Sequence, residues 1–272
     1  MKISISNIAW RSEEEPAVAA AMQGLGITGV EVAPGKIGPE PAAIDDDELR
    51  GYREVWSRSG ISIVAMQALL FGRGELVMFG SDAEREQLLA YFGRIIHLGG
   101  VLGAKTLVFG SPKNRQVGDR PPLEACEIAV RFFRSVGRLA ADHGTCFCIE
   151  PNPPEYGCDF ITNARDALAL VRAVDHPGFG LHLDAAALHM AGEGAEVIRE
   201  SAGTIRHFHA SEPMLAQVKP GGAVDHESFA RALREIDYAR WISIEMRQQS
   251  DDVDHLPIVD ETLRFVTGVY GD

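Results

Sequence analysis

The sequence lacks the cysteine content of a disulfide-stabilised protein. Its 272 residues include four cysteines, at positions 126, 146, 148 and 158, and no Cys-x-x-Cys pair. Cys146 and Cys148 stand two residues apart on a predicted strand, which is a poor geometry for a mutual disulfide. We therefore expect reduced thiols in a cytoplasmic protein.

Basic charge is also scarce. Lysine and arginine number 26 against 39 aspartate and glutamate residues, which gives a formal net charge of −13. Binding to nucleic acid or to an anionic membrane requires a basic surface, so we expect neither partner. No uncharged stretch is long enough to span a bilayer, and the first residues alternate like a strand without a signal-peptide pattern.

A glycine-rich phosphate-binding turn is missing after the first predicted strand, where three glutamates occupy positions 13–15. This absence disfavours a doubly wound dinucleotide-binding fold. The chain instead alternates short apolar runs with longer segments of helical period. Strands are predicted at 2–10, 29–34, 61–69, 106–112, 146–152, 179–187, 205–213 and 241–247. Helices are predicted at 13–25, 46–59, 83–103, 121–143, 163–175, 192–203, 226–237 and 258–270.

Eight strand–helix units in a chain of this length predict an α/β fold, a single-domain (β/α)8 TIM barrel over residues 1–272. The active site of such a barrel lies at the carboxyl ends of its strands. The last four predicted strands run into Glu150, Asp184, His209 and Glu245. Strand alternation fixes which residues share a face, so these four side chains are expected to meet at the rim.

Three carboxylates cannot all stay ionised at close range without a cation, so the pattern predicts a divalent metal site. A donor set of oxygens with one imidazole favours Mn²⁺, with Mg²⁺, Co²⁺ or Zn²⁺ as further candidates. His182 and His207 are expected one layer below the rim, where they would pack or orient a ligand. Three other histidines, His143, His176 and His255, lie in predicted helices or loops and are expected on the surface.

The order of these four residues on the last four strands resembles the xylose-isomerase-like TIM barrels. Within them it is most similar to the sugar phosphate isomerase/epimerase family, which includes the ketose 3-epimerases. The resemblance covers the whole chain, and its most specific segments are 149–152, 183–184, 207–212 and 244–246. It implies that Glu150, Asp184, His209 and Glu245 bind one divalent ion. It also implies that Glu150 and Glu245 act as acid and base on opposite faces of a carbohydrate substrate.

Two positions depart from the epimerase pattern. Ala187 stands where the epimerases carry a histidine, and Leu215 stands where they carry an arginine. Both family positions contact substrate hydroxyls, so free ketohexose specificity does not follow from the resemblance. The candidate substrate-binding residues of this chain are Lys113, Asn114, Arg115, Asn152, His182, Glu212 and Arg247, with Glu31 and Gln67 as weaker ones. Lys113 and Arg115 together are expected to suit a phosphate, a carboxylate or a nucleotide sugar.

The leading functional hypothesis is a metal-dependent sugar isomerase or epimerase that removes a proton α to a carbonyl. An alternative is a dehydratase or lyase acting on a keto-sugar or inositol-like substrate, which would release water instead of yielding an isomer. A remote alternative is an abasic-site endonuclease-like hydrolase, which the net charge of −13 opposes. A non-catalytic sugar-binding relative should lack one of the paired glutamates, and this chain has both. A homodimer is a further expectation.

Overall fold

The computed structural model describes residues 1–250 and 252–271. Eight parallel strands form a closed barrel in which each strand pairs with the next and β8 pairs with β1. The strands are β1 Lys2–Ser6, β2 Gly29–Val32, β3 Ser62–Met66, β4 Thr106–Phe109, β5 Cys146–Ile149, β6 Phe179–Asp184, β7 Ile205–Ser211 and β8 Trp241–Glu245. The helices are α1 Glu15–Gly24, α2 Asp46–Arg58, α3 Asp82–Leu102, α4 Pro122–Asp142, α5 Ala164–Val174, α6 Ala185–Met190, α7 Ala195–Glu200, α8 His226–Glu235 and α9 His255–Tyr270. None of these helices is long and apolar enough to cross a membrane.

The predicted barrel is confirmed, but the strands end earlier than the sequence suggested. The strand predicted over 179–187 stops at Asp184, because that residue accepts a hydrogen bond from the Ala187 amide and begins the short helix α6. The first strand likewise stops at Ser6, where a 3₁₀ turn follows. The polar residues Asp184, His209 and Glu245 lie in the last residues of their strands, and Glu150 follows its strand directly, so all four lie at the carboxyl-terminal rim of the barrel.

The apolar core lies between the barrel and its helices. Phe109 of β4 and Phe147 of β5 point outward and meet Phe92 of α3, with ring centroids 5.3 and 4.8 Å apart. Phe133 of α4 extends this aromatic layer, with its ring centroid 6.0 Å from that of Phe109. All four rings are fully buried. Burial of such large apolar side chains is the main source of stability in this shell.

The interior of the barrel is polar instead of being filled by branched aliphatic residues. Buried polar side chains line it from several strands, including Ser4, Glu31, Thr106, His207 and Ser243. At the amino-terminal end of the barrel the indole of Trp241 covers Gly29, and a Cβ at position 29 would overlap this ring. The polar interior is thus closed at one end and leads to the rim at the other.

An ion pair joins the first and last helical segments where the barrel closes. His255, expected on the surface, is fully buried at the start of α9, and its Nδ1 lies 2.8 Å from Glu14 Oε2. The expectation of a surface histidine was wrong. The partner of His255, Glu14, is 241 residues away in the sequence, so no local pattern indicated the contact. Glu14 also accepts a hydrogen bond from the Arg11 amide. Burial raises the pKa of Glu14, but the hydrogen bonds from Arg11 and His255 outweigh it and lower that pKa from 4.5 to about 2.

The pair predicts a pH-dependent contribution to stability. A carboxylate whose pKa is lowered on folding stabilises the fold fully above its unfolded pKa, and this contribution is lost as the pH falls from about 4.5 towards 2. Glu14→Gln should therefore lower the free energy of unfolding at pH 7 by about 1.5–3 kcal/mol, the range for hydrogen bonds to a charged group. Urea unfolding at several pH values should show this difference shrinking below pH 4.5.

The matched control is Glu13→Gln, since the Glu13 side chain is 72% exposed. This change is expected to alter the free energy of unfolding by less than about 0.5 kcal/mol. A Glu14→Gln deficit that stays constant from pH 7 to pH 3 would contradict the assigned ion pair.

Candidate functional site

Four side chains converge at the carboxyl ends of the last four strands. Glu150 follows β5 directly, Asp184 and Glu245 end β6 and β8, and His209 lies near the end of β7. Asp184 is in register with His209, and Glu245 is in register with Ser211, two residues beyond His209. One donor atom from each of the four residues lies within 4.8 Å of the others. The expected meeting of these residues on one face is therefore observed in the structure.

The spacing of the four donor atoms suits a single cation. His209 Nδ1 lies 3.3 Å from Glu245 Oε2, 3.8 Å from Glu150 Oε1 and 4.0 Å from Asp184 Oδ2. Donors that each lie about 2.1 Å from one ion are separated by roughly 3–4 Å, in tetrahedral or octahedral geometry. His209 Nδ1 is buried and has no hydrogen-bond partner among the described residues. The residues present therefore fit a divalent ion.

The carboxyl groups repel one another when no cation is bound. Burial raises the pKa of Glu150 to about 8, and the neighbouring Glu245 and Asp184 carboxylates add to this shift. Burial and Glu245 likewise raise the pKa of Asp184 to about 6. Charges this close in a desolvated place oppose each other's ionisation, and a dication removes that penalty.

The local structure around Asp184 directs one of its oxygens to the centre of the cluster. Oδ1 accepts a hydrogen bond from the Ala187 amide at 2.7 Å, which caps α6. Oδ2 accepts a hydrogen bond from the Ser211 hydroxyl, whose oxygen in turn accepts one from the Ala186 amide at 3.0 Å. The helix missed by the sequence analysis thus holds this carboxylate in place. The signal for it was the run Ala-Ala-Ala-Leu that follows Asp184, which is typical of a helix with an aspartate cap.

Close packing around Glu150 depends on a glycine. A Cβ at position 110, directly after β4, would overlap Glu150 Oε2 and would displace this carboxylate from where it lies. The Asn152 amide donates hydrogen bonds to the Glu150 main-chain oxygen at 3.2 Å and to Oε2 at 3.5 Å. Arg115 is fully buried and donates to the same main-chain oxygen at 2.7 Å. The segment that carries Glu150 is therefore held from two sides.

Three further acidic and imidazole groups lie below the cluster. His209 Nε2 is 3.0 Å from Glu31 Oε2, and the other oxygen of Glu31 is 3.3 Å from His207 Nε2. His182 Nε2 lies 3.5 Å from Glu150 Oε1, and burial lowers the pKa of His182 well below its ordinary value. These side chains are all fully buried. His182 and His207 thus occupy the deeper layer that the sequence analysis expected for them.

A cavity of ≈ 330 Å³ opens above the cluster. Its floor is polar, and its walls and roof are largely apolar. It is lined by Pro112, Glu150, Asn152, Tyr156, Asp184, Ala186, Ser211, Glu212, Met214, Leu215 and Glu245. None of these lining residues is a lysine, arginine or histidine. A small polar molecule could contact the floor through its oxygens and the roof through its carbon skeleton.

The roof is built from an unusual backbone conformation. Met214 and Leu215 both have positive φ angles, 60° and 58°, which non-glycine residues seldom adopt. The Tyr156 hydroxyl accepts a hydrogen bond from the Met214 amide at 3.0 Å, and the Leu215 carbonyl accepts one from the Arg247 amide at 2.9 Å. These contacts hold the loop after β7 over the cavity.

The structure brings together only part of the set of candidate substrate-binding residues. Asn152 and Glu212 line the cavity, and His182 lies beneath it. Glu212 accepts hydrogen bonds from the Ala223 and Val224 amides and so also supports its own loop. Lys113 and Arg247 are exposed and do not line this cavity.

Asn114 and Arg115 have roles that the sequence analysis did not anticipate. The Asn114 amide donates to the Arg73 and Leu76 carbonyl oxygens at 2.7 and 2.8 Å, which ties two rim loops together. The Arg115 guanidinium lies over the Phe109 ring at 5.8 Å in addition to its bond with the Glu150 carbonyl. Arg115 is thus fully buried, whereas Lys113 is exposed.

Comparisons with known proteins agree with this architecture. A D-psicose 3-epimerase from Clostridium cellulolyticum H10, solved with D-tagatose, superimposes with a TM-score of 0.83 at 16% identity, with 100% of both chains covered. The 3-keto-D-glucoside 4-epimerase YcjR from E. coli gives 0.80 at 16% identity, covering 98% of this chain and 99% of that one. The IolI protein, solved with a binding zinc atom, gives 0.78 at 18% identity, covering 99% and 98%.

At these identities the structural likeness establishes the fold. No curated protein matches the sequence. The model of one protein family, the xylose isomerase-like TIM barrels, matches residues 19–267. This match spans most of the chain, so the protein belongs to the xylose isomerase-like TIM barrel family.

Proposed function

We propose that this protein is a divalent-metal-dependent isomerase or epimerase of a sugar or sugar derivative. The observation that carries the proposal is the cluster of Glu150, Asp184, His209 and Glu245 on the floor of a cavity of sugar size. Two of its members are glutamates from strands that are not neighbours. The reaction would begin with removal of a proton α to a carbonyl group.

The structural neighbours support this choice. Two of those described above are a D-psicose 3-epimerase and a 3-keto-D-glucoside 4-epimerase, and a third was solved with zinc. They share the barrel over nearly their whole length. Their sequence identities to this chain are only 16–18%. A shared fold does not by itself fix the function, so sugar chemistry is a proposal for this chain.

Glu150, Asp184, His209 and Glu245 would hold the ion, which we propose is Mn²⁺, with Mg²⁺, Co²⁺ and Zn²⁺ as alternatives. When bound, a divalent cation supplies positive charge that stabilises the oxygens of an enediolate. Asn152 and Ser211 offer hydrogen-bonding groups beside it, and both line the cavity. The apolar roof of Tyr156, Met214 and Leu215 would exclude water from the reacting carbon.

Glu150 and Glu245 are assigned the proton transfers. Asp184 and His209 lie between them around the rim, so the two glutamates border the cavity from different sides. One carboxylate can remove a proton from one face of the substrate while the other returns a proton to the opposite face, which inverts that carbon. Transfer by a single carboxylate would instead move a carbonyl between neighbouring carbons.

Metal binding is the first prediction. The wild-type protein should bind about one Mn²⁺ per chain, and saturation at 100 times the Kd should raise Tm by about 5–10 °C. His209→Ala removes the only nitrogen donor of the cluster, so most of this shift should disappear. Metal content after equilibrium dialysis and thermal unfolding with and without Mn²⁺ are the measurements.

His143→Ala is the control for this prediction, because His143 is exposed on the outer layer and hydrogen-bonds only within its own helix end. It should bind metal as the wild type does. Normal metal content in His209→Ala would move the nitrogen ligand elsewhere, and His207 would then be the first residue to test.

Proton transfer is the second prediction. Glu150→Gln and Glu245→Gln should each lower kcat by at least about 10²–10⁴-fold, the range for loss of a general acid or base, while the fold persists. The assay is a screen of ketoses and keto-sugars in D₂O, with mass spectrometry and NMR to detect deuterium at a substrate carbon. An isomer of equal mass indicates an isomerase or epimerase, whereas loss of water indicates a dehydratase.

Glu155→Gln serves as the control, since Glu155 is an exposed glutamate on the same loop as Glu150. It should keep wild-type turnover. Full activity in either Glu150→Gln or Glu245→Gln would refute the acid–base assignment even if the metal site proved correct.

A further inference from the structure

Glu31 is a buried carboxylate for which the proposed reaction has no direct use. It belongs to β2, whereas the four cluster residues lie in or directly after strands β5 to β8. Its side chain is fully buried. Among residues 1–250 and 252–271, neither of its oxygens has a hydrogen-bond partner of good geometry. Its nearest polar neighbours are Nε2 of His209 at 3.0 Å and Nε2 of His207 at 3.3 Å.

Such a group is costly unless it serves a partner. Removing an isolated carboxylate from water costs several kcal/mol or more, and only well-placed donors or cations repay this. The Glu31 carboxyl group lies against two imidazole rings that can supply such donors, His209 and His207.

The direction of the hydrogen bonds around His207 follows from the serine chain beside it. The Ser4 hydroxyl donates to the Ile242 carbonyl at 3.3 Å, so it accepts from the Ser243 hydroxyl at 2.6 Å. In that arrangement the Ser243 oxygen accepts from His207 Nε2 at 3.0 Å, so the His207 hydrogen is on Nε2, on the side where Glu31 lies.

The position of Glu31 also bears on which ring nitrogen of His209 carries the hydrogen. His209 Nε2 lies 3.0 Å from Glu31 Oε2, although the two atoms do not meet hydrogen-bond geometry. Attraction to the carboxyl group favours a hydrogen on Nε2, and Nδ1 is then left with a free lone pair. Nδ1 is the atom that faces Glu245, Glu150 and Asp184 at 3.3–4.0 Å. The opposite tautomer would point an N–H at the centre of the cluster and would exclude a cation.

The strand that pairs with β2 is irregular beside Glu31. Val30 pairs with Ile63 and Glu31 pairs with Ala65, so Val64 of β3 is an extra residue in the ladder. Irregularities of this kind recur beside active sites. The irregularity lies in β3, opposite the β2 residue whose side chain reaches His209.

We propose that Glu31 is a positioning residue for the metal centre: its carboxylate fixes the tautomer and orientation of His209 and thereby raises the affinity of the cluster for a divalent cation. The inference rests on the metal site of the proposed function but not on any sugar reaction. Partners that orient a ligating histidine in this way contribute about 10–100-fold in metal affinity.

The test is metal binding by Glu31→Gln, which keeps the side-chain volume but removes the charge. Mn²⁺ and Co²⁺ are titrated into metal-free protein by calorimetry, without substrate, and the visible absorption of bound Co²⁺ is recorded. Glu31→Gln should bind both ions about 10–100-fold more weakly than the wild type, and its Co²⁺ spectrum should change because the imidazole is reoriented. The Tm of the metal-free variant shows whether the fold persists.

Gln67→Met is the matched control. Gln67 is buried directly after β3, and its amide donates to the hydroxyl of Ser6, a residue outside the cluster, at 2.7 Å. It should bind Co²⁺ with the wild-type Kd and spectrum. Glu31→Asp retains the charge on a shorter side chain, so its affinity should fall between those of Glu31→Gln and the wild type.

The outcomes separate the inference from the function on which it rests. Equal Kd values and equal Co²⁺ spectra for the wild type and Glu31→Gln would overturn the role of Glu31 while leaving the metal site intact. A similar loss of affinity in Gln67→Met would also overturn it, because any polar change inside the barrel would then suffice. A wild-type protein that binds neither ion would overturn both the inference and the metal-dependent function.

Discussion

The mutual repulsion of three buried carboxyl groups is the constraint on which the rim of this barrel is organised. Glu150, Asp184 and Glu245 are placed closer together than their charges tolerate in a desolvated cavity, and the pKa values of the first two are raised accordingly. Such repulsion is relieved where a cation binds. The cap on Asp184 fixes the position of one carboxylate, the glycine at position 110 leaves room for another, and His209 Nδ1 lies 3.3 Å from Glu245 Oε2.

The fold and the four-residue cluster could be predicted because both follow from rules that act along one strand. Alternation places Glu150, Asp184, His209 and Glu245 on the inner face, and the barrel brings the strand ends together. Contacts between residues far apart in the sequence could not be predicted in this way. Glu14 meets His255 across 241 residues, and Asn114 meets the Leu76 carbonyl across 38. Nothing near these residues in the sequence distinguishes a buried partner from an exposed side chain.

Sequence divergence among these barrels leaves the scaffold in place. The structural neighbours share about one residue in six with this chain and yet superimpose over nearly their full length. Here the roof is apolar where it includes Met214 and Leu215, and the described cavity lining contains no cationic side chain. The side-chain charge around the cavity therefore comes from the acidic residues Glu150, Asp184, Glu212 and Glu245.

The two faces of the barrel strands carry different kinds of side chain. Outside, the rings of Phe92, Phe109, Phe133 and Phe147 pack between sheet and helices. Inside, the barrel carries hydroxyls, imidazoles and a carboxyl group. Apolar packing and polar chemistry are thus separated by the thickness of one sheet, so a side chain that changes inside the barrel has no direct contact with this aromatic layer.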